Sequence, residues 1–505
     1  MKNTPLIRQA MRSDAYVAET NFPCFARASR YRNLTRPSAA CLQEADRRRA
    51  LFPYSERHLH CVWHDPGLRP GALMTRRGEA IAVEHPGHWN HEAGPDFLGA
   101  VLYIGDSRRR VVGDVEIHIH PQDWKAHGHA GDARYKDVRF HVTYFAGDDA
   151  ALDRVPAAEQ IVLKDALAAL PGFSFEQIDT TAYPYGARAD RPPCAAVLAL
   201  YSPDEREQLL QAAGEERLRQ KAERMQQSMN ELGADQVLYE EMMTALGFKH
   251  NKRAFRSLAR LLPHTTLRER SEGDPAKGYA LLLGMAGLLP DPSAIAWPAE
   301  TQAWLRQLWQ VWWRHEQSLP PAMNAAAWRL DSLRPTNHPI RRLSGAAQLF
   351  CSTAPFSATL TDWLNGESGQ WTRTWLQYCT RLSDGFWSTR LTLRGEEQPQ
   401  AVALIGEARA TAMLVNVLLP FGASHAQHQA TVLAALENVP QEAENALVKQ
   451  TAYYLFGRDH SPSLYRTTLA RQGLLQIFHD FCMSDRTRCA ACTFPQALQR
   501  HLDQR

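Results

Sequence analysis

The sequence lacks several features that would have fixed the class of the protein at once. No apolar run approaches the roughly 20 residues that a membrane-spanning helix needs, and the first residues carry no apolar secretory signal. Nine cysteines in 505 residues are too few and too scattered for a disulfide scaffold. The formal net charge is only +3, so any polyanion must be bound by local basic patches. These absences predict a cytoplasmic protein with mostly reduced thiols and no membrane partner.

The composition predicts a folded protein of more than one domain. Hydrophobic residues make up 44% and charged residues 22% of the chain, as in ordinary globular proteins, and 505 residues exceed what one compact core usually contains. Residues 1–48 are polar and aperiodic and predict an irregular extension. Residues 49–193 predict an α+β domain with a small mixed sheet, and residues 194–505 predict a large all-α domain. The boundary is placed in the Pro- and Gly-rich stretch at 182–194.

Strand and helix signals divide cleanly between these two parts. Short alternating runs bounded by turn residues predict strands at 80–84, 97–104, 110–120, 138–145 and 160–163. Gly105-Asp106-Ser107 predicts a hairpin turn between the second and third of them. Beyond residue 200, helical periodicity dominates, and Ser202-Pro203-Asp204-Glu205 is a capping signature for a long first helix.

The stretch GDVEIHIHPQDW at 113–124 carries the strongest chemical signal. Because side chains alternate along a strand, Asp114, Glu116, His118 and His120 share one face, and valine and isoleucine occupy the other. Carboxylates and imidazoles are the side chains that bind metal ions. The plain alternative is a half-exposed strand whose wet face happens to be charged.

Asp96 is expected to lie beside this face. It opens the preceding strand, and antiparallel pairing about the predicted hairpin brings it close to Glu116. Two carboxylates on neighbouring strands can hold Mg²⁺ or Mn²⁺, which would neutralise phosphate charge and lower the pKa of an attacking water.

These residues resemble the Pro-Asp…(Asp/Glu)-x-Lys motif of the PD-(D/E)XK restriction-endonuclease-like superfamily. The resemblance implies a restriction-endonuclease-like fold and a metal-dependent nuclease, with Asp96 and Glu116 as ligands and Glu56 contributing from the preceding helix. His118 stands where the superfamily has lysine. It could orient water or bind the metal, and Lys125 is the nearest candidate to replace the missing lysine.

A second resemblance covers most of the chain from residue 51 onward. ERHLHCVW, HPGHWNHEAGPDFLGA, GDVEIHIHPQDWKAHGH, YKDVRFHVTY, ALGFKHNKRAFRSLARLLP, RPTNHPIRRL and RQGLLQIFHDFC are similar to the signature stretches of the bacterial DUF2851 family, whose function is unknown. This resemblance therefore implies a family and no substrate.

Further histidines follow the charged strand. His127 and His129, with Asp132 nearby, could close a site from above, or they could belong to a polar turn in which they bond only to backbone. His141 lies inside a strand and is interpreted as a sheet histidine with satisfied hydrogen bonds, not as a ligand.

Basic residues in the helical part could track a nucleic-acid backbone. One group would form a stripe on a single helix, and another surrounds a Pro-rich turn. The alternatives are a solvated helix face and arginines that anchor loops. The residues concerned are Lys249, Arg253, Arg256 and Arg260 in the stripe, and Arg341 and Arg342 at the turn.

A cysteine cluster near the end of the sequence predicts a structural metal site. Cys489 and Cys492 form the Cys-x2-Cys knuckle that zinc favours, and Cys482 with His479 (or His501) could complete four ligands. The spacing also resembles the iron–sulfur loop of some DNA glycosylases, but Leu498 stands where the fourth cysteine would be. The plain alternative is three unrelated thiols.

Three hypotheses about function follow. The first is a metal-dependent nuclease that uses Asp96, Glu116 and His118. The second is a non-catalytic scaffold that binds nucleic acid or protein on a decayed endonuclease fold. The third is a different metallohydrolase, with Glu116, His118 and His120 around a transition metal, which imidazole ligands suit better than Mg²⁺.

Overall fold

The computed structural model describes most of the chain. The described residues are 22–35, 52, 54–90, 94–127, 129, 132–147, 158–170, 172–178, 180, 183, 193–248, 250–331, 333–366, 370–436, 439–440, 446–457, 460–482 and 492–504.

Within these residues the chain divides into two compact units that interleave along the sequence. The sheet-bearing unit comprises Asn33–Ser202, Ala446–His460 and Ile477–Arg505, and the helical unit comprises Met1–Arg32, Pro203–Asn445 and Ser461–Gln476. The change of unit after Ser202 lies close to the predicted boundary. However, two segments that were predicted to belong to the helical domain lie in the sheet-bearing unit.

Helices make up the larger part of the described chain. In chain order they are α1 (Ala26–Thr35), α2 (Glu56–His64), α3 (Asp123–Ala126), α4 (Lys164–Ala168), α5 (Pro193–Leu198), α6 (Pro203–Leu232), α7 (Ala234–Leu246), α8 (Lys252–Leu261), α9 (His264–Ser271), α10 (Pro275–Met285), α11 (Ala299–His315), α12 (Pro339–Phe350), α13 (Phe356–Asn365), α14 (Gln370–Arg381), α15 (Glu407–Met413), α16 (Leu419–Ala423), α17 (Gln429–Ala435), α18 (Ala446–Phe456), α19 (Thr468–Ile477) and α20 (Thr493–Asp503). None of the helices that the structure describes has both the length and the apolarity that crossing a bilayer would require.

The sheet is mixed, as the sequence predicted. Its strands are β1 (Leu73–Met74), β2 (Ala80–His85), β3 (His88–Trp89), β4 (Phe97–Ile104), β5 (Arg109–His118), β6 (Val138–Thr143) and β7 (Glu159–Val162). They are ordered β1-β2-β4-β5-β6-β7, with β3 paired to β4. Pairing is antiparallel as far as β5, whereas β5, β6 and β7 run parallel.

The β4–β5 hairpin confirms the predicted turn and shows how the register is set. Ile104 pairs with Arg109 across a turn in which Gly105 has a φ of 71°. The register shifts between Phe97 and Ala100, where Gly99 has a φ of 67°. This left-handed conformation suits glycine. The N–H of Gly99 donates to Asp114 Oδ1 at 2.9 Å. The irregularity aligns the start of β4 with the end of β5.

The end of β5, residues 115–118, is buried on both faces of the strand. Val115 and Ile117 lie in the apolar core, which also contains side chains of α2. On the opposite face, Glu116 is 5% exposed and His118 only 1%. The crossover from β5 to the parallel strand β6, residues 119–137, carries α3 and contributes Trp124 and Tyr135 to a small cluster with Val138. The plain alternative of a half-exposed strand is therefore wrong for residues 115–118, because a parallel pair requires a crossover and this one covers the polar face.

The helical unit has its own core and includes part of the predicted extension. Phe22 and Phe25 are buried in that core, and α1 begins directly after them. The Glu215 carboxylate accepts hydrogen bonds from the N–H groups of Arg27 and Ala28 at 3.0 and 3.2 Å. The prediction of an irregular segment is wrong for residues 26–35, because the capping group comes from a helix that is distant in sequence.

Candidate metal centre at the end of β5

Asp96 and Glu116 are tied together by reciprocal hydrogen bonds. The N–H of Asp96 donates to Glu116 Oε2 at 3.2 Å, and the N–H of Ile117 donates to Asp96 Oδ2 at 2.8 Å. Each carboxylate therefore bonds the backbone beside the other, across the start of β4 and the end of β5. The hairpin brings these two predicted residues together.

A histidine that was not predicted from the sequence contacts this carboxylate pair. His60 of α2 has its Nε2 3.2 Å from Asp96 Oδ2. Glu56, the acidic helix residue of the predicted site, is half-buried at the start of α2. It lies one turn before His60, so the two side chains share a helix face. The signal that could have revealed His60 is this spacing of four residues.

Three other histidines converge beside Glu116. His118 comes from the end of β5, and His127 and His129 come from the crossover that follows α3. One ring nitrogen from each lies within 4.8 Å of the other two. Among the described residues, they form the group whose donor atoms are close enough to share one metal ion.

Glu116 links the histidines to Asp96. Its Oε1 lies 3.0 Å from His129 Nε2 and 3.5 Å from His118 Nε2, while its Oε2 accepts the Asp96 N–H. The buried carboxylate is thus held at one oxygen by backbone and presents the other to imidazole. Carboxylate and imidazole together form a donor set typical of transition-metal sites.

His141 and Gln160 lie behind His118, on the side of its Nδ1. His118 Nδ1 lies 2.8 Å from His141 Nε2, and His141 faces Gln160 across β6 and β7. Gln160 interacts with His141, although His141 Nδ1 and Gln160 Oε1 have no well-formed hydrogen bond. A proton on His141 Nδ1 would suit both of these atoms. With that tautomer, His141 Nε2 accepts from His118 Nδ1–H, and His118 Nε2 keeps its lone pair.

Burial keeps the imidazoles of His118 and His141 neutral. It lowers the pKa of His141 from 6.5 to about 4. Burial first, and then the neighbouring histidines, lower the pKa of His118 well below 6.5. A neutral imidazole is the form that binds metal, and a second hydrogen bond that fixes the tautomer is usual for metal-binding histidines. His141 lies inside β6, as predicted, but its Nδ1 has no well-formed hydrogen bond within the described part of the chain, so not all of its hydrogen bonds are satisfied, contrary to the prediction.

His120 does not join the group, contrary to the prediction. β5 ends at His118, so the alternation stops before His120. Its N–H donates to Asp123 Oδ2 at 2.9 Å, and its ring stacks on Phe145 with the centroids 4.7 Å apart.

Lys125 and Asp132 also do not make the contacts that were predicted for them at the site. Lys125 is exposed on α3, and in the described part of the chain no hydrogen bond or ion pair connects its ammonium group to Asp96 or Glu116. Asp132 instead pairs with Arg134, and these hydrogen bonds lower the pKa of Asp132 to about 2. The crossover therefore contributes histidines to the cluster instead of the lysine of the motif.

The predicted basic stripe on α8 is partly neutralised within its own unit. Arg256 pairs with Glu241 at 2.7 Å, and Arg260 pairs with Glu240 at 2.9 Å. Arg253 is half-buried. Lys249 lies outside the described residues.

Arg341 and Arg342 are buried at the start of α12, with exposures of 1% and 5%. Arg341 donates to the carbonyl oxygens of Ala403 and Val402 at 3.2 and 2.8 Å. Both side chains are thus buried instead of exposed beside the turn, and the contact of these two arginines with a nucleic-acid backbone stays a prediction.

The predicted cysteine site lies partly outside the described residues. Cys489 is among the residues that are not described. Cys482 and Cys492 are half-buried, and His479 lies in a short π-helical turn with Cys482. His501, the other candidate ligand, stacks on Tyr201. The zinc centre with Cys482, Cys489, Cys492 and His479 stays a prediction.

Comparison with known proteins gives a family and no function. The model of a family described as "Protein of unknown function (DUF2851)" matches residues 56–445. No curated protein matches the chain, and no solved structure matches it either. The matched region begins at the first residue of α2 and includes the carboxylate pair and the histidine cluster.

Proposed function

The chain belongs to the DUF2851 family, and from the geometry at the end of β5 we propose that it is a metal-dependent hydrolase whose ion is held by His118, His127 and His129. One observation carries this proposal. Three imidazole nitrogens lie within 4.8 Å of one another, next to a carboxylate that is itself buried.

The residues fit a transition metal better than Mg²⁺. His118 Nε2 is a buried nitrogen without a hydrogen-bond partner, and the His141 contact leaves its lone pair directed at the cluster. An unsatisfied buried polar atom costs about 1–3 kcal/mol, which a bound cation would offset. Three imidazoles with one carboxylate suit Zn²⁺ or Mn²⁺. Of the predicted cofactors, Mn²⁺ is therefore favoured over Mg²⁺.

Each surrounding residue has a distinct role in this proposal. A bound ion would lower the pKa of water or polarise a substrate oxygen. Glu116, next to the ligands, accepts the proton of the attacking water. The N–H of Asp96 holds Glu116 in place, and the N–H of Ile117 in turn holds the Asp96 carboxylate. His141 and Gln160 maintain the tautomer of His118.

As a second, more specific proposal, the substrates of this hydrolase are phosphodiesters of nucleic acid. The succession α2, β2, Asp96, the hairpin and Glu116 has the order of the PD-(D/E)XK motif, with His118 at the lysine position. In this version Asp96 and Glu116 contribute to metal binding and His60 polarises Asp96. A non-catalytic scaffold is the alternative, and it would bind nucleic acid without turnover.

Metal binding is tested first, separately from activity. Elemental analysis and titration with Zn²⁺, Mn²⁺ and Mg²⁺ are compared for the parent, His127→Ala and His118→Ala. The control is His88→Ala, which removes an exposed imidazole on β3. We expect one equivalent of Zn²⁺ or Mn²⁺ in the parent and the control, and at least a hundredfold weaker binding in both cluster variants. Equal binding in all four proteins would refute the centre.

Activity is tested with Glu116→Gln. Glutamine keeps the size of the side chain and the acceptor for the Asp96 N–H, but it cannot accept a proton from water. We expect metal-dependent cleavage of bis(p-nitrophenyl) phosphate, or of single- or double-stranded DNA or RNA, to fall at least a hundredfold, with unchanged thermal stability. If the parent binds metal and nucleic acid without turnover, the scaffold hypothesis replaces the enzyme.

A further inference from the structure

An unusual charge arrangement lies in the helical unit, at the first turn of α12. Arg342 is buried there, and its Nη2 donates to Asn337 Oδ1 at 2.6 Å. Its Nε and Nη1 are also buried, and both lack a hydrogen-bond partner. A guanidinium has five N–H donors and no acceptor, so most of the hydrogen-bonding capacity of Arg342 is unused.

The surroundings of Arg342 add positive charge. Burial first, and then the charges of Arg409 and Arg341, lower the pKa of Arg342 from 12.5 to about 9. Arg409 belongs to the first turn of α15, and its guanidinium lies 4.1 Å above the ring of Phe248. The bonds from Arg341 to Val402 and Ala403 hold α12 beside the loop that leads into α15.

Two other buried arginines of the same unit are paired with carboxylates, unlike Arg342. Arg219 pairs with Glu216 and Glu223. Arg390 pairs with Glu300 and Glu397. A buried charge normally requires such partners, since desolvation without them costs several kcal/mol. Arg342 has one amide oxygen instead.

The helix that carries Arg342 contributes further attraction for an anion. α12 has 12 residues and begins with Pro339, and its N-cap, His338, makes no side-chain capping bond. Asn337 directly precedes the N-cap, so its bond to Arg342 places the guanidinium at the N-terminus of α12. Backbone N–H groups and the helix dipole at this end attract negative charge. Arg334 and Pro335 are exposed, which gives this end a solvent-facing side.

We propose that Arg342, Arg409 and the N-terminus of α12 form a binding site for a phosphate-class oxyanion, either free phosphate or the phosphate of a nucleotide. An oxygen of the anion would accept from Nη1 or from Nε of Arg342, the two nitrogens that lack partners and whose N–H groups point in different directions. Guanidinium is the side chain best suited to phosphate. This site is independent of the proposed metal centre and implies that the helical unit is a ligand-binding module.

The test is a titration of the EDTA-treated full-length protein with inorganic phosphate. Calorimetry and the melting temperature of the protein are the two readouts. Sodium chloride at matched ionic strength controls for general salt effects. AMP and adenosine distinguish free phosphate from a nucleotide phosphate. The variants are Arg342→Gln and Arg409→Gln, with Arg334→Gln as the control because it removes an exposed positive charge from the same turn.

We expect phosphate, or AMP but not adenosine, to raise the melting temperature of the parent and Arg334→Gln in a saturable way. Binding should be at least tenfold weaker in Arg342→Gln and in Arg409→Gln, and unchanged in Glu116→Gln. If Arg342→Gln does not fold, Arg409→Gln gives the same readout. The absence of phosphate-specific stabilisation in the parent, or an equal rise in all variants, would overturn the site.

Discussion

His118 shows how much a single residue can imply once its neighbours are known. It is the last residue of β5 and is almost fully buried, yet one of its nitrogens is bonded to His141 and the other faces Glu116 and the crossover. A neutral, oriented imidazole in this position is prepared to donate a lone pair. The sequence indicated a metal-ligand role for His118. The role of His141 follows only from the distance between the two rings.

The orienting role of His141 is testable at the residue scale. His141→Phe removes the acceptor for His118 Nδ1–H, while the ring still fills the buried space. If the proposed centre is correct, affinity for Zn²⁺ or Mn²⁺ should fall by about tenfold to a hundredfold, the usual effect of losing such an outer partner. Competition with a chromogenic chelator measures this. Unchanged affinity in a folded variant would show that His141 only fills space.

His264 gives a prediction about pH that is independent of any metal. It is buried at the start of α9 between Tyr239 and Phe350, and burial lowers its pKa from 6.5 to about 4. Between pH 6.5 and pH 4, the imidazole of His264 is therefore protonated in the unfolded state and neutral in the folded state. The contribution of His264 to stability is complete above pH 6.5 and is lost as the pH falls toward 4, by about 3 kcal/mol in total.

Denaturant unfolding of the parent and His264→Phe at pH 7 and pH 4.5 measures this effect. Phenylalanine cannot titrate, so the variant should lose less stability on acidification than the parent. His88→Phe, at an exposed position, is the control and should behave as the parent does. An identical loss in the parent and in His264→Phe would contradict the assignment.

At the scale of elements, the strands and the long helices could be predicted, and the connections could not. β4, β5 and their hairpin follow from alternation and from the Gly105 turn, and together they imply the meeting of Asp96 with Glu116. The crossover at 119–137 has no periodicity, so its fold over β5 could not be predicted. His127 and His129 therefore remained ambiguous, and His120 was placed by an alternation that ends at His118.

α1 was missed for a related reason, and its capping can be tested. Glu215→Ala should leave two N–H groups of α1 without their acceptor in a buried setting, which costs about 1–2 kcal/mol. Glu215→Gln keeps an acceptor oxygen and should cost less. The control is Glu231→Ala, which changes an exposed residue of α6, the helix that also carries Glu215. Chemical denaturation is the measurement, and equal stability of Glu215→Ala and Glu231→Ala would exclude the cap.

At the scale of the whole molecule, the units are interleaved, whereas the sequence predicted domains in succession. α18 and α20 belong to the unit that contains the sheet, although they lie more than 240 residues beyond α5. Local periodicity identifies a helix as amphipathic but carries no information about which distant element covers its apolar face. The division could therefore be found only from the tertiary structure.

Leu498→Ala tests this division directly. Leu498 of α20 is fully buried, and its carbonyl accepts from Tyr201 at 2.8 Å. Truncation should lower the free energy of unfolding by about 2–5 kcal/mol. The destabilisation should be confined to the unit that contains Leu498. Hydrogen exchange should accelerate in α5, α18 and the strands, while the amides of α7 and α10 keep their protection. Leu281→Ala, equally buried in α10, should give the reverse pattern. If Leu498→Ala instead deprotected α7 and α10 and spared the strands, α20 would belong with the helical unit, and the contiguous arrangement predicted from the sequence would be correct.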